Sequence, residues 1–353
     1  MKKSRIYCLI IILMLFSLIN NYSARHLTSS YEHYLLKELI WYLLGFVMLW
    51  LLSKINLKIL FKYSFIMYLI WNLLLFLTLL IGPVINGSTS WLIIGPFSIQ
   101  PSEFMKIILI LYLCFFTSKY QGSDLRYVVY LSLIVLLPSI LTFLEPDTGA
   151  LIPYLIIYLA FLINRGLSKW WYLNLATIVI GSLGIIIYLY YFEQGIFTSL
   201  LGTNFFYRFD RLTSFIKGDG YQIGKALTVI GTSGLWGRGI SDIPEYFPEA
   251  PTDFAFTLLV NNLGLIGTII FLVIYGLLIF NLFQLIKSAN RVCLLPICLI
   301  LFGQSSINIL MNLGLLPIIG ITLPLISYGG SNLLSCLLLI GLGINAEPLK
   351  KYH

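Results

Sequence analysis

The stretch PEAPTDFAFTLLVNNLGLIGTIIFLVIYGLLIF (248–280) is the strongest indication of the fold class, because a proline-rich turn leads there into a long apolar segment. No charged residue occurs between Phe254 and Ile286. A helix needs about 20 mostly apolar residues to cross the hydrocarbon core of a bilayer. Asp253 stands directly before this segment, and ionisable residues in such places are candidates for function. The stretch predicts a transmembrane helix with a carboxylate at its start.

The composition extends this prediction to the whole chain. Of the 353 residues, 59% are hydrophobic and 10% are charged, whereas an ordinary soluble domain has roughly 25% charged residues. Ten apolar segments can be read between Gly, Pro and charged residues: 5–24, 36–54, 60–82, 104–118, 127–144, 148–164, 170–191, 254–286, 292–313 and 329–346. We therefore expect an all-α, polytopic integral membrane protein of about ten transmembrane helices. Residues 1–353 are expected to form a single membrane domain.

The positions of Lys and Arg predict the orientation, since short loops rich in these residues stay in the cytoplasm. With the N-terminus inside, most of the 22 Lys and Arg residues are cytoplasmic, and all acidic residues except Asp124 and Glu347 lie outside. An even number of spans then places both termini in the cytoplasm. One large extracellular loop (193–252) is expected between helices 7 and 8. The net charge of +8 follows from this asymmetry, and no basic patch with interleaved aromatic residues indicates nucleic acid binding.

Polar residues occur where the bilayer would penalise them in GSTSWLIIGPFSIQPSEFMK (87–106). Glu103 and Lys106 are three residues apart at the start of a predicted helix and so share a face. An acid in the first turn also suits the helix dipole, so helix capping and function remain alternatives for Glu103. Lys106 is harder to explain structurally.

Two further outer segments carry charge. In LEPDTGALI (144–152), Asp147 follows a proline, which is ordinary turn chemistry. In YRFDRL (207–212), Arg208 and Arg211 could share a helical face and bind a phosphate, because the guanidinium fork matches phosphate oxygens. A solvated surface is the alternative for the two arginines.

The segment FPEAPTDF (247–254) places Glu249 and Asp253 on either side of Pro251. Asp before an apolar run is a good N-cap residue, and the residues alone favour this interpretation of Asp253. The run NILMNLGLLPIIGITLPLISYGGSN (308–332) adds Gly- and Pro-rich breaks in apolar sequence, which is typical of irregular backbone lining a cavity. It has no acid or base, so it can shape a site but not titrate.

Five of these motifs, QPSEFMK, EPDTGA, PEAPTDF, NLGLLPIIGITLP and SYGGSN, occur in the order and positions of the SEDS family, which the chain resembles. This family comprises the shape, elongation, division and sporulation proteins, including RodA and FtsW. The resemblance covers most of the chain after about residue 85. The short termini and the sequence IGPFSIQPSE lean toward the RodA branch.

The resemblance implies a peptidoglycan glycosyltransferase of the bacterial cytoplasmic membrane, which polymerises lipid II on the outer face and works with a class B penicillin-binding protein. It implies that Asp253 is catalytic. Glu103, Lys106, Asp147 and Arg211 are implied to contact the substrate, and Glu249 is placed with them. A carboxylate can take the proton of the acceptor 4-hydroxyl as it attacks the donor with inversion. The leaving group would be undecaprenyl pyrophosphate.

No cofactor is evident, although a divalent cation (Mg²⁺ or Mn²⁺) with unknown ligands is a candidate to neutralise the pyrophosphate together with Lys106 and Arg211. The chain departs from the family pattern at Pro251, where His is usual, and at Asn261 and Asn262, where acids are common. Two other functions remain open. A lipid II flippase would need polar groups along the whole membrane path, and a non-catalytic scaffold would leave Asp253 as a helix cap only.

Overall fold

The computed structural model describes residues 2–85, 87–95, 97–202, 205–206, 209, 213, 215, 220–286 and 291–345. The described chain is mostly helical. Its helices are α1 (Lys2–Ala24), α2 (Tyr34–Leu52), α3 (Leu57–Ile81), α4 (Pro101–Lys119), α5 (Asp124–Leu144), α6 (Thr148–Arg165), α7 (Lys169–Phe192), α8 (Gln194–Leu201), α9 (Tyr221–Thr232), α10 (Ala255–Leu285), α11 (Arg291–Asn312) and α12 (Gly330–Asn345). A 3-10 turn (Ser29–Tyr31) precedes α2. Two short antiparallel strands, β1 (Leu92–Ile94) and β2 (Phe97–Ile99), form a hairpin before α4.

A helix lies at each of the ten predicted apolar segments. Within the described ranges, nine helices are long and apolar enough to cross a membrane. The tenth, α12, is apolar but has only 16 residues. The predicted all-α, multi-pass membrane fold is therefore confirmed. The β1–β2 hairpin departs from the all-α expectation.

The helices differ in how deeply they are buried. Almost every residue of α12 and most of α4 are buried, so these two helices form the centre of the bundle. In α7, by contrast, only Tyr190 is buried. An apolar helix with exposed sides suits a lipid environment, so α7 lies at the periphery. The principal packed pairs are α1 with α10, α2 with α12, α3 with α4, and α6 with α11.

The segment before α10 contains an ordered helix, α9. The apolar periodicity of 221–237 predicts partial order, and α9 forms the first part of this stretch. Ile223, Ala226 and Val229 follow one another every three residues and are buried, as expected for one face of an amphipathic helix. Ala226 and Val229 belong to a small apolar cluster with Phe247 and Phe254. This cluster attaches α9 to the segment that carries Asp253.

A kink in α10 lies where this segment returns to the bundle. Gly264 has φ 66° and ψ −170° inside the helix, a conformation that is essentially restricted to glycine. A Cβ atom at Gly264 would lie 2.2 Å from the backbone nitrogen of Gly237. Leu265 N donates to Gly234 O at 3.1 Å, which uses the backbone groups freed by the kink. The kink therefore lets 234–238 dock directly on α10.

Candidate active site

The carboxylate of Asp253 does not cap α10. The helix is preceded by Phe254, which makes no capping bond. Asn312, on α11, takes the capping role: its Oδ1 accepts from Thr257 N at 3.1 Å and from Thr257 Oγ1 at 2.7 Å. The residue-level expectation that Asp253 acts as an N-cap is therefore wrong. A side chain distant in sequence satisfies the first turn of α10, which leaves the aspartate available.

The backbone around Asp253 is held from one side by α11 and the loop that follows it. Asn308 Nδ2 and Asn312 Nδ2 both donate to Asp253 O, at 2.9 and 3.0 Å. The loop 313–329 adds Ser327 Oγ, which donates to Thr252 O at 2.5 Å. Tyr328 N donates to Pro251 O at 2.8 Å. Three consecutive carbonyl groups are thus fixed, and they hold the backbone from which the Asp253 side chain extends.

The electrostatic surroundings make Asp253 a stronger base than an ordinary aspartate. Its side chain is partly buried. Burial, with the charges of Glu249 and Asp147, raises the pKa of Asp253 from its ordinary value of 3.8 to about 7. Among the described residues, none donates a hydrogen bond to this carboxylate. A general base works best when its pKa lies near the working pH, and Asp253 meets this condition.

Glu249 lies at the start of the same turn in a strained conformation. Its φ is +56°, which is uncommon for a residue with a Cβ atom. Thr252 Oγ1 donates to Glu249 Oε2 at 2.6 Å, and Phe254 N donates to Glu249 O at 3.0 Å. These bonds compensate the strain. The conformation of Glu249 places a second carboxylate near Asp253. Strain of this kind is concentrated at functional sites.

Asp147 lies in a turn, as expected from the sequence. It also accepts hydrogen bonds from side chains outside that turn. It is the N-cap of α6 and its Oδ1 accepts from Ala150 N at 3.2 Å. Its Oδ2 accepts from Gln100 Nε2 at 2.6 Å and from Ser102 Oγ at 3.1 Å. Burial raises the pKa of Asp147, the bond from Ala150 N opposes this, and the charge of Glu103 adds to it. Both oxygens of Asp147 are therefore occupied.

Glu103 and Lys106, which their spacing places on one helix face, form an ion pair. Lys106 Nζ lies 2.7 Å from Glu103 Oε2, and Lys106 is only 1% exposed. Ser335 Oγ on α12 donates to the same Glu103 oxygen at 2.9 Å. A buried pair of this kind is costly to break, by about 3–5 kcal/mol. The pair therefore fixes α4 against α12. Its charges lie close to the site.

A close backbone contact brings these groups to one end of the bundle. A Cβ atom at Gly149, in the first turn of α6, would lie 2.6 Å from Gly320 O. Gly320 has φ +77°, and a Cβ atom there would lie 3.8 Å from Asp253 Oδ2. Only glycines allow this approach. Asp147 and Asp253 are thus close enough for one charge to affect the other. Arg211, the predicted phosphate ligand, lies outside the described residues.

Several side chains that build the site are not singled out by sequence reasoning. Asn308 and Asn312 are four residues apart on α11, and this spacing of amides before a Gly- and Pro-rich loop is the signal that could have identified them. Gln100 is missed as well. It connects Asp147 to α12, because its backbone N donates to Ser331 Oγ at 3.0 Å.

The structure gives a physical account of the amide departures from the family pattern. Asn262 Oδ1 accepts from Ser23 Oγ at 2.8 Å, and its Nδ2 donates to Asn20 Oδ1 at 3.1 Å. Asn261 Nδ2 donates to Asp242 O at 3.1 Å. Neutral amides can both donate and accept, so they suit a network of neutral partners. Pro251 takes part in this turn through its backbone carbonyl, which accepts a hydrogen bond, so its lack of an N–H removes no contact of the turn.

The fold and the site define a multi-pass membrane protein with a cluster of carboxylates where the helices meet at one end of the bundle. The sequence profile of the family of FtsW, RodA and SpoVE, described as "Cell cycle protein", matches residues 3–352. The chain belongs to this family, and the resemblance seen in the motifs is confirmed.

Relatives of known name agree with this assignment. A protein of Coxiella burnetii, named probable peptidoglycan glycosyltransferase FtsW, is 36% identical over 330 residues, covering 88% of this chain and 85% of that protein. The crystal structure of the rod shape determining protein RodA of Thermus thermophilus has a TM-score of 0.69 at 26% identity, covering 96% of this chain and 94% of that one. A chain described under "Structural coordination of polymerization and crosslinking by a peptidoglycan synthase complex" has a TM-score of 0.77 at 23% identity, covers 96% of both chains and shares the fold. The assignment to the RodA branch stays a prediction, since both FtsW and RodA occur among the names of these similar proteins.

Proposed function

We propose that this protein is a peptidoglycan glycosyltransferase, which polymerises lipid II into glycan strands for cell-wall synthesis. The family and the name of the 36% identical relative support the activity. The observation that carries the site assignment is the state of Asp253. The backbone around it is held by α11 and the loop 313–329, its carboxylate does not cap α10, and its pKa is about 7.

The proposed chemistry is a direct displacement. The Asp253 carboxylate accepts the proton of the acceptor sugar 4-hydroxyl, and the hydroxyl oxygen forms the new bond to the anomeric carbon of the donor. The bond from that carbon to the pyrophosphate oxygen breaks, and undecaprenyl pyrophosphate leaves with the electron pair. One base suffices, and the configuration inverts. Glu249 and Asp147 contribute by keeping the pKa of Asp253 close to 7.

The departing pyrophosphate needs positive charge. Lys106 and Arg211 are our proposed sources, although Lys106 is paired with Glu103 in the structure and would act at a distance. Mg²⁺ or Mn²⁺ is a further proposal. Within the described ranges, no three His, Cys, Asp or Glu side chains are grouped to hold a metal ion. Such a cation would depend mainly on substrate phosphates, and no step above requires it.

We place the site on the outer side of the bacterial cytoplasmic membrane with both termini in the cytoplasm. The basic start of α1, which includes Lys3 and Arg5, supports this orientation. A class B penicillin-binding protein is the proposed partner, because glycan strands made outside the cell must be cross-linked there. A lipid-linked donor fits the same location.

The arrangement of buried charge favours a polymerase over a flippase. In the described part of the chain, the buried side chains of the Asp, Glu, Lys and Arg classes all lie near the same end of the bundle: Glu38, Glu103, Lys106 and Glu145. A transporter needs polar groups along its whole path.

The test gives purified protein, with its partner, fluorescent lipid II in detergent, and gel electrophoresis detects glycan polymer. Without a bilayer to cross, a flippase makes no polymer. We expect polymer from the wild-type protein and none from Asp253→Ala. Normal polymerisation by a folded Asp253→Ala variant would show that the catalytic assignment is wrong.

A further inference from the structure

A carboxyl group that the proposed reaction does not use is buried in α2. Glu38 is fully buried one turn into this membrane helix. Across the described ranges, no cationic side chain forms an ion pair with it. An unpaired buried charge is very costly in a bilayer, so the group needs a structural explanation.

Glu38 belongs to a row of three side chains that all meet the loop 313–329. Tyr34, Glu38 and Tyr42 are four residues apart and so lie on one face of α2. The ring of Tyr34 stacks on Tyr328 with centroids 3.7 Å apart. Tyr42 Oη donates to Leu325 O. One face of α2 thus contacts the loop at Leu325 and at Tyr328.

Glu38 reaches the same loop through Ser17 of α1. Ser17 Oγ lies 3.2 Å from Glu38 Oε1 and 3.0 Å from Ile326 O. Asn21 Nδ2 donates to the same hydroxyl at 3.4 Å. A serine hydroxyl has one hydrogen to donate, and a carbonyl oxygen can only accept. Both contacts of Ser17 are satisfied together only if Ser17 donates to Ile326 O and Glu38 donates to Ser17. If both contacts are hydrogen bonds, the hydrogen count requires Glu38 to be a neutral acid.

The residues after Ile326 hold the turn that carries the proposed base. Ser327 Oγ donates to Thr252 O at 2.5 Å, and Tyr328 N donates to Pro251 O at 2.8 Å. We propose that Glu38 is a positioning residue, which as a neutral acid holds the loop 313–329 against α1 and α2 and thereby sets the orientation of the Asp253 carboxylate. This inference rests on the proposed glycosyltransferase function.

The experiment compares Glu38→Leu, Glu38→Gln and the wild-type full-length protein, each with its partner, on fluorescent lipid II. Glutamine has the size of glutamate and supplies an N–H to Ser17, whereas leucine supplies none. We expect Glu38→Leu to lower kcat about 10-fold with KM within about 2-fold, because a small displacement of a catalytic group slows the chemical step. Glu38→Gln should keep kcat within about 2-fold of the wild type, with an unchanged pH–rate profile.

The matched control is Asn72→Leu, which replaces a buried polar residue of α3 that hydrogen-bonds within its own helix. It should leave kcat near the wild-type value. If Glu38→Leu does not fold, Ser17→Ala decides the question, because it removes the same connection with a smaller change in volume. We expect it to lower kcat as well.

The outcomes separate this inference from the function on which it rests. If the wild type makes no polymer, the proposed function is wrong. If the wild type is active and Glu38→Leu, or Ser17→Ala in its place, has wild-type kcat, the positioning role is wrong. Loss of activity in Glu38→Gln, or a shift of its pH–rate profile, would also overturn the inference, because it would mean that Glu38 acts as a charged or titrating group.

Discussion

Two turns of this protein have similar sequences, but their aspartate carboxylates make different contacts. Glu145, Pro146 and Asp147 precede α6, and Glu249 to Asp253 with an internal proline precede α10. The Asp147 carboxylate caps its helix and accepts two further side-chain bonds. The Asp253 carboxylate does not cap its helix. One aspartate makes structural hydrogen bonds, and the other is the proposed general base.

The difference comes from outside the turns. In the second turn Asn312 supplies the cap that an N-terminal aspartate would otherwise provide. The companion acids differ as well: Glu145 is fully buried and bonds to Thr78, while Glu249 is partly exposed beside Asp253. Burial raises the pKa of Glu145 to about 8, against the hydrogen bond from Thr78. A helix-start aspartate thus becomes available for catalysis when another residue caps the helix.

Among changes that keep Asp253 itself, the largest effect is expected from removing that substitute cap. Asn312→Leu leaves Thr257 N without its acceptor and Asp253 O with one donor, Asn308 Nδ2, instead of two. The change lets Asp253 turn toward the helix end. We expect polymerisation to fall about 100-fold, since a displacement of about 1 Å can cost that much. The free energy of unfolding should fall by about 2–4 kcal/mol. Glycan formation and thermal melting in detergent measure the two effects.

The matched control for this change is Asn281→Leu on α10, because Asn281 bonds only to Leu277 O of its own helix in the described structure. It should retain most activity. A wild-type polymerisation rate in Asn312→Leu would mean that capping by Asn312 does not cause the difference between the two turns.

A smaller effect is expected from neutralising the acid beside Asp253. The charge of Glu249 raises the pKa of Asp253, so Glu249→Gln should lower that pKa. The rising limb of the pH–rate profile then moves from about 7 toward lower pH, with a gain of about 3-fold near pH 6 relative to each variant's plateau. Glu245→Gln, which breaks an ion pair with Lys225, is the control and should leave the limb in place. An unmoved limb in Glu249→Gln would contradict the coupling.

The raised pKa of Asp253 also predicts a cost in stability. Its pKa is 3.8 ordinarily and about 7 in the folded protein, so the folded state binds more protons between these values and stability falls as pH rises through them. Asp253→Asn removes this cost and should raise the free energy of unfolding at pH 8 by about 1–2 kcal/mol. The gain should vanish near pH 4. Melting temperatures at both pH values test this, with Asp242→Asn as an exposed control that gains nothing.

The smallest effect is expected at the structural turn. Asp147→Ala removes the cap of α6 and should lower the free energy of unfolding by about 1 kcal/mol. Asp147→Asn keeps a capping oxygen and should lose less. Thermal melting of both variants measures the difference. Equal melting temperatures for Asp147→Ala and the wild type would mean that the cap at Asp147 does not stabilise the protein.

The sequence was enough to predict much of the fold, because apolar length is a strong signal for membrane helices. It also placed Glu103 and Lys106 on one helix face, which depends only on spacing within one helix. It was misleading at Asp253, since capping preference is local and the competing cap is Asn312, far along the chain. The contact of Gly149 with Gly320 likewise could not be predicted, because it joins two backbone segments that are distant in sequence.

The division of roles between the two aspartates can be measured in one experiment. The polymerisation rates of Asp253→Asn and Asp147→Asn on labelled lipid II are followed in parallel from about pH 5.5 to about pH 8.5, on protein shown to be folded. We predict that Asp253→Asn loses about 100- to 10,000-fold at every pH, as expected when a general base is removed. Asp147→Asn should keep its rate within about 10-fold and retain a rising limb, displaced to lower pH because the charge of Asp147 no longer raises the pKa of Asp253. A folded Asp253→Asn variant that polymerises at the wild-type rate, or with an unchanged rising limb, would contradict the role of Asp253 as the general base.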